Sequence, residues 1–109
     1  MKQATALPAW AKVGTVLHYS WGWEQTNCEF YEVVAVRGSQ VIIREIAAKQ
    51  VGPWAFMSTY VVPEPGKFIG PEMRKKAQDF GVRMKFGTAG PISPEELAAG
   101  RSFYCSWYA

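Results

Sequence analysis

The stretch from Phe30 to Ile46 constrains the fold more than any other part of the chain. Phe30-Tyr31-Glu32-Val33-Val34-Ala35-Val36 and Val41-Ile42-Ile43-Arg44-Glu45-Ile46 are both rich in β-branched and aromatic residues, the composition that suits a pleated surface. Between them, Arg37-Gly38-Ser39-Gln40 puts glycine where a type II′ turn needs a positive φ. A turn centred on Gly38 and Ser39 pairs Val36 with Val41, Val34 with Ile43, Val33 with Arg44 and Tyr31 with Ile46. Apolar side chains then occupy both faces of the hairpin, and both must be covered. That requirement fits a small antiparallel barrel or strongly curved sheet, SH3-like, better than a single open sheet. The same register sets Glu32 against Glu45, an unfavourable like-charge pair. Either a cation such as Arg44 neutralises it, or a bulge shifts the pairing by that point.

The remaining elements are weaker and mostly β. Val16 to Trp21 alternates, with Leu17, Tyr19 and Trp21 on one face and Val16, His18 and Ser20 on the other. Gly22 allows a bend, and Glu24 to Asn27 reads as a loop. Thr59-Tyr60-Val61-Val62 reads as a short strand, and Pro63-Glu64-Pro65-Gly66 as a turn or loop, because two prolines cannot donate to a ladder. Pro71 is placed to open a helix through Met73, Ala77 and Phe80, with Gly81 as its stop. Val82 to Phe86 alternates again. Ser93-Pro94-Glu95-Glu96-Leu97-Ala98-Ala99-Gly100 carries a cap, an opening proline, a capping-box glutamate and a terminating glycine, enough for one or two turns. The aromatic end, Phe103 to Tyr108, reads as a strand paired inside the sheet. The expected class is therefore mainly β (α+β), with one or two short helices. Residues 1–12 read as an N-terminal arm anchored by Trp10, and 13–109 as a single β-rich domain.

Composition narrows the chemistry. With 49% hydrophobic and 19% charged residues, the chain is too apolar for intrinsic disorder. Its apolar runs are too short for a membrane span, and its N-terminus lacks a secretory core, so a soluble cytoplasmic protein is expected. His18 is the single histidine, and Cys28 and Cys105 lie far apart in sequence. No metal-ligand spacing or nucleotide-binding loop appears, so neither metal nor cofactor is expected. The cysteines read as two reduced thiols of a reducing compartment, with a structural disulfide as the alternative. A Cys–His nucleophile built from His18 with Cys28 or Cys105 is the weakest reading, and the chain reads as a binding protein rather than an enzyme.

The net charge of +3 is unevenly spread. Residues 1–66 are neutral, and 86–109 sum to −1. Residues 67–85 hold Lys67, Arg74, Lys75, Lys76, Arg83 and Lys85 against Glu72 and Asp79, a surplus of four. Helix, strand and Lys67 together would make one basic surface, suited to phosphate or an acidic protein face. The other unusual segment is Ser20-Trp21-Gly22-Trp23-Glu24-Gln25-Thr26-Asn27. Tryptophans beside side-chain amides hold a base, a peptide or a partner's anchor residue, so Trp21, Trp23, Gln25, Asn27 and Tyr31 are the candidate partner-binding residues. The alternative is structural, with Trp21 capping the core and Gln25 and Asn27 tying the loop to its own backbone.

From Gly14 through Asn27 and on through Phe30-Tyr31-Glu32-Val33-Val34, the chain resembles a family of small proteins carried by phages and plasmids. Those show Ser-Trp-Gly-Tyr-Asp-Gln-Thr-Asn, then Phe-Tyr, a valine-rich hairpin and an aromatic C-terminus. Here Trp23 and Glu24 replace the family's Tyr and Asp, and Ala98-Ala99-Gly100 stands where the family often has Trp-Asp-Gly. The likeness covers about residues 13–46 and 103–109 and carries over no catalytic residues. Its mobile-element setting implies an anti-defence protein, of anti-CRISPR or anti-restriction type, that binds a host CRISPR–Cas or restriction component directly, with Trp23 and Tyr31 as anchors. The alternative is a nucleic-acid-binding small barrel with a basic rim. An exposed aromatic patch accommodates a homodimer as readily as a foreign partner.

Overall fold

The computed structural model describes residues 7–21, 27–55 and 58–106. Within them, strands β1 (Val16–Trp21), β2 (Asn27–Arg37), β3 (Gln40–Ala55), β4 (Ser58–Lys76), β5 (Val82–Met84), β6 (Gly87–Pro91) and β7 (Phe103–Ser106) form one antiparallel sheet. Their order is β5-β6-β1-β2-β3-β4-β7. One short helix, α1 (Pro94–Ala98), lies between β6 and β7. The protein is thus mainly β, as its composition leads one to expect. The edge strands β5 and β7 do not pair with each other, so the sheet is not closed into a barrel.

The β2–β3 hairpin forms around Gly38, whose φ is +60°. Val36 faces Val41 as expected, but a bulge between Val33 and Ala35 moves the register by one residue. Val33 then faces Ile43, Glu32 faces Arg44, and Tyr31 faces Glu45. The bulge separates the two glutamates and sets one of them opposite a cation.

The expected helix from Pro71 does not form. Residues through Lys76 continue β4, with Met73 opposite Ile43 and Lys75 opposite Val41. The reason is a backbone requirement. β3 is central, and its N–H and C=O groups need a ladder partner on the side away from β2. Met73 and Ala77 are as compatible with a two-residue period as with a helical one, and Pro71 is tolerated because the outer side of β4 is unpaired beyond Val61. The Pro63 to Gly66 loop survives as an interruption inside the strand. Ala48 pairs with Pro63 and Ile46 with Phe68, so four residues of β4, from 64 to 67, loop out of the ladder, with Gly66 at φ +86°.

Alternation along β1 divides the interior in two. Leu17 and Tyr19 join Tyr31, Val33, Val41, Ile43, Val82 and Ala89 in one cluster. Val16 joins Phe30, Ile46, Ile92 and Phe103 in the other. Leu7 and Trp10 pack on the first cluster, and the Trp10 indole N–H donates to the Gln78 carbonyl at 2.7 Å. The segment from Leu7 to Lys12 is therefore fastened to the body of the sheet and is no free arm.

Strand β7 is an edge strand and does not pair inside the sheet; it meets only residues 58–61 of β4. Its burial comes instead from curvature. β7 lies three strand steps from β2, roughly 14 Å in a flat sheet. Yet Cys28 of β2 and Cys105 of β7 have Cα atoms 5.8 Å apart and are joined by a disulfide. The sheet therefore curls back on itself, carrying Phe103 over Phe30 with ring centroids 5.2 Å apart. The two sulfurs are bonded, in place of the reduced thiols expected. Sequence distance hid their proximity, because only the curl brings β2 and β7 together.

Helix α1 follows its sequence signature. Ser93 caps it, its Oγ accepting from the Glu96 N–H at 3.1 Å, and Pro94 fills the first turn. The Glu96 carboxylate pairs with Arg101 at 2.9 Å.

Candidate functional site

The curl leaves β4 and the β5–β6 hairpin facing one another across the first cluster without pairing, and a cleft of about 240 Å³ opens at that seam. Trp21, the last residue of β1, forms one wall. Its two-residue offset places it beside Tyr19, with ring centroids 6.2 Å apart. Phe86 comes from the tip of the β5–β6 hairpin, where Met84 pairs with Gly87 and leaves Lys85 and Phe86 as the turn. Its ring stacks on Trp21 at 4.9 Å with an interplanar angle of 27°. The Phe86 N–H donates to the Tyr19 hydroxyl at 2.8 Å, which fixes the turn against β1. Met73 and Lys75 of β4 form the facing wall, with Met84 and Lys85 beside them.

Tyr31 and Glu29 of β2 complete the lining. The Tyr31 hydroxyl donates to Glu29 Oε1 at 2.6 Å. Burial, with the Glu29 hydrogen bond and charge, pushes the Tyr31 phenol well above its ordinary range. Glu45, opposite Tyr31, has its carboxyl pKa raised, first by burial and then by the charge of Glu29. Tyr31 is only 6% exposed. It belongs to the floor of the cleft and the core, and so cannot be an anchor that inserts into a partner.

Of the other expected partner-binding residues, Trp21 lines the cleft. Asn27 lies opposite Trp21 across the β1–β2 pair and donates to its carbonyl at 3.2 Å. Trp23 and Gln25 lie outside the described residues, as do Trp107 and Tyr108.

The single basic surface is not assembled. A helix would have turned Arg74, Lys75 and Lys76 outward together, whereas a strand sends neighbours to opposite faces. Lys75 faces the cleft with Met73. Arg74 and Lys76 register with Ile42 and Gln40 on the other face, and Arg74 donates to the Gln40 side chain at 3.2 Å. Arg83 alternates away from Met84 and lies 5.9 Å from the Phe80 ring. Lys67 pairs with Glu64 at 3.5 Å beside the looped-out part of β4. Only Lys75 and Lys85 of the six share the aromatic site.

Tyr19, Glu29, Met73, Met84 and Phe86 were not singled out from sequence. Phe86 reads in the sequence as the last apolar residue of an alternating strand, but β5 ends at Met84 and Phe86 sits at the tip of the turn, 58% exposed.

His18 lies elsewhere, between Phe30 and Phe103 at 5.3 and 4.2 Å. Its Nε2 is buried without a hydrogen-bond partner among the described residues. Burial first, and the positive charge of Arg101 second, lower its pKa. Cys28 and Cys105 are bonded to each other, so neither stands as a free thiol in this structure. Among the described residues, no group of three or more His, Cys, Asp or Glu is placed to hold a metal, and no helix is long and apolar enough to cross a membrane.

A larger cavity, about 520 Å³, lies between the N-terminal segment and α1, bounded by Trp10, Val16, Ile92 and Leu97. Its hydroxyls are already engaged: Thr15 donates to the Trp10 carbonyl and Ser93 caps α1. The smaller cleft has the richer chemistry. Comparison with protein-family models, curated proteins and solved structures finds no match.

Proposed function

We propose that this chain is a small inhibitor encoded by a mobile genetic element. It acts in the host bacterial cytoplasm, binding a CRISPR–Cas or restriction component and obstructing it sterically. The observation that carries the binding half of this reading is the cleft at the β4–β5 seam, where Trp21 and the exposed Phe86 stack beside Lys75 and Lys85. Aromatic residues at the centre of an interface, flanked by cations, are the usual energetic anchors of a protein contact. The anti-defence half rests on the resemblance of residues 13–46 and 103–109 to phage and plasmid proteins.

A nucleic-acid-binding module is the second reading, supported by the same nearness of aromatics to lysines. The division of Arg74 and Lys76 from Lys75 and Lys85 weighs against it, because strand binding needs a continuous cationic track along the phosphates. A cytoplasmic site of action also asks something of the disulfide. Reducing conditions there would keep Cys28 and Cys105 as thiols, so β7 would be held by its ladder to β4 and by the packing of Phe103.

The test is phage plating and plasmid transformation on hosts carrying defined CRISPR–Cas and restriction systems, with and without the protein. Wild type should restore plating against at least one system, and Phe86→Ala, a change at an exposed residue, should lose that effect while remaining folded. Restoration against none would remove the inhibitor reading. Affinity capture with and without nuclease then names the bound species, and a companion lost entirely to nuclease would favour the nucleic-acid module.

A further inference from the structure

We infer that the cleft at the β4–β5 seam takes an acidic segment of a protein partner. A carboxylate side chain seats against Lys75 and Lys85, and a neighbouring apolar or aromatic side chain lies on Trp21 and Phe86. This rests on reading the cleft as the partner contact, and it names the chemistry of what enters.

Two lysines line the cleft against a single carboxylate, Glu29. Lys75 is half-buried in the cleft wall, yet the ion pairs among the described residues are Lys67–Glu64 and Arg101–Glu96. Lys85 lies 5.3 Å from the Phe86 ring and is likewise in neither pair. The Trp21 Nε1 is buried and has no hydrogen-bond partner among the described residues. A buried indole N–H without a partner is costly, and the two lysines leave the cleft with a surplus of positive charge. The one carboxylate in the lining, Glu29, already accepts from the Tyr31 hydroxyl. An incoming Asp or Glu offsets the lysine surplus, and the exposed Phe86 ring with half-buried Trp21 and Met84 offers apolar surface for its neighbour.

Competing ligands fit less well. Trp21 and Phe86 already stack on each other at 4.9 Å, so no slot is open between them for a nucleobase. Glu29 in the wall opposes a multiply charged phosphate more strongly than a single carboxylate. Two lysines at the mouth oppose a cationic side chain.

The experiment is a titration of the ¹⁵N-labelled full chain, followed by NMR, with four probes. These are the blocked peptide Glu-Asp-Leu-Phe-Glu-Asp, its Gln-Asn-Leu-Phe-Gln-Asn counterpart, the lysine version, and inorganic phosphate. The acidic peptide should shift the Trp21 indole and the amides of Lys75, Lys85 and Phe86, and bind at least about tenfold more tightly than the amide version. Lys75→Gln with Lys85→Gln should erase that preference without changing the dispersion of the spectrum. The inference is overturned by equal binding of the acidic and amide peptides. It is equally overturned by phosphate binding as tightly as the peptide, by shifts confined to the Arg74 and Lys76 face, or by no binding up to about 2 mM. Any of these leaves the plating result standing, so the two readings fail separately.

Discussion

Replacing Cys28 and Cys105 together by serine removes the one covalent cross-link seen between distant parts of the described chain, and its effect can be worked out in advance. The two positions are 77 residues apart. Closing a loop of that length removes about 15 cal/mol/K of entropy from the unfolded chain, or about 4.5 kcal/mol at 25 °C. Unfolding entropy near the midpoint is about 2.1 cal/mol/K per residue, so the 109 residues give about 0.23 kcal/mol/K. The Tm should therefore fall by about 20 °C. The folded state itself loses little, because β7 keeps its four pairings with β4 and Phe103 keeps its place against Phe30 and Ile92. The assay is thermal and urea unfolding of oxidised wild type, reduced wild type and Cys28→Ser/Cys105→Ser. The reduced protein and the double variant should coincide, well below the oxidised protein. A double variant within about 1 kcal/mol of oxidised wild type would refute the argument, because the loop would then place no constraint on the unfolded ensemble. If reduced wild type instead remained as stable as oxidised, the loss in the variant would belong to the serines and not to the bond.

Three further outcomes test other parts of the structure. Because the pKa of His18 is lowered by burial and by Arg101, the unfolded chain takes up a proton that the folded chain resists. Stability should be full above the unfolded value of about 6.5 and fall as pH drops from there toward the lower folded value; urea midpoints between pH 8 and 5 should show this slope, and His18→Leu should abolish that component. Gly81→Ala should cost about 2–3 kcal/mol, since φ there is +126° and a Cβ would strike the Ala89 carbonyl; a near-neutral urea midpoint would mean that the β5–β6 hairpin relocates freely. Ser93→Ala should cost about 1 kcal/mol by removing the cap on the Glu96 N–H, read by the same denaturation, with Ser93→Asp close to wild type.

What could be read in the sequence was local. The Gly38 turn, the alternation of β1 and the Ser93 cap each follow from a few neighbouring residues, and the clash of Glu32 with Glu45 left a bulge as one of two ways out. The residues from Pro71 to Lys76 misled, because their apolar spacing suits a helix and a strand alike, and the decision came from outside: β3 needed a second ladder. That single change of element moved Lys75 into the cleft, left Arg74 and Lys76 on the far face, and so divided the basic surplus that the sequence displays as one run.

The chain's order of residues determined that the fold would be mainly β, where the central hairpin turns, how α1 is capped, and that apolar surface would have to be covered on both faces of the sheet. Only the tertiary structure decided how that covering is achieved. The sheet curls until β7 lies over β2 and the β5–β6 hairpin faces β4, which bonds Cys28 to Cys105, stacks Phe86 on Trp21 and brings Lys75 beside both. Turn and cap signals act through hydrogen bonds spanning three or four residues and can be read one segment at a time. Curvature is set by long-range ladder partners and by the burial of both faces at once, so it belongs to no segment alone.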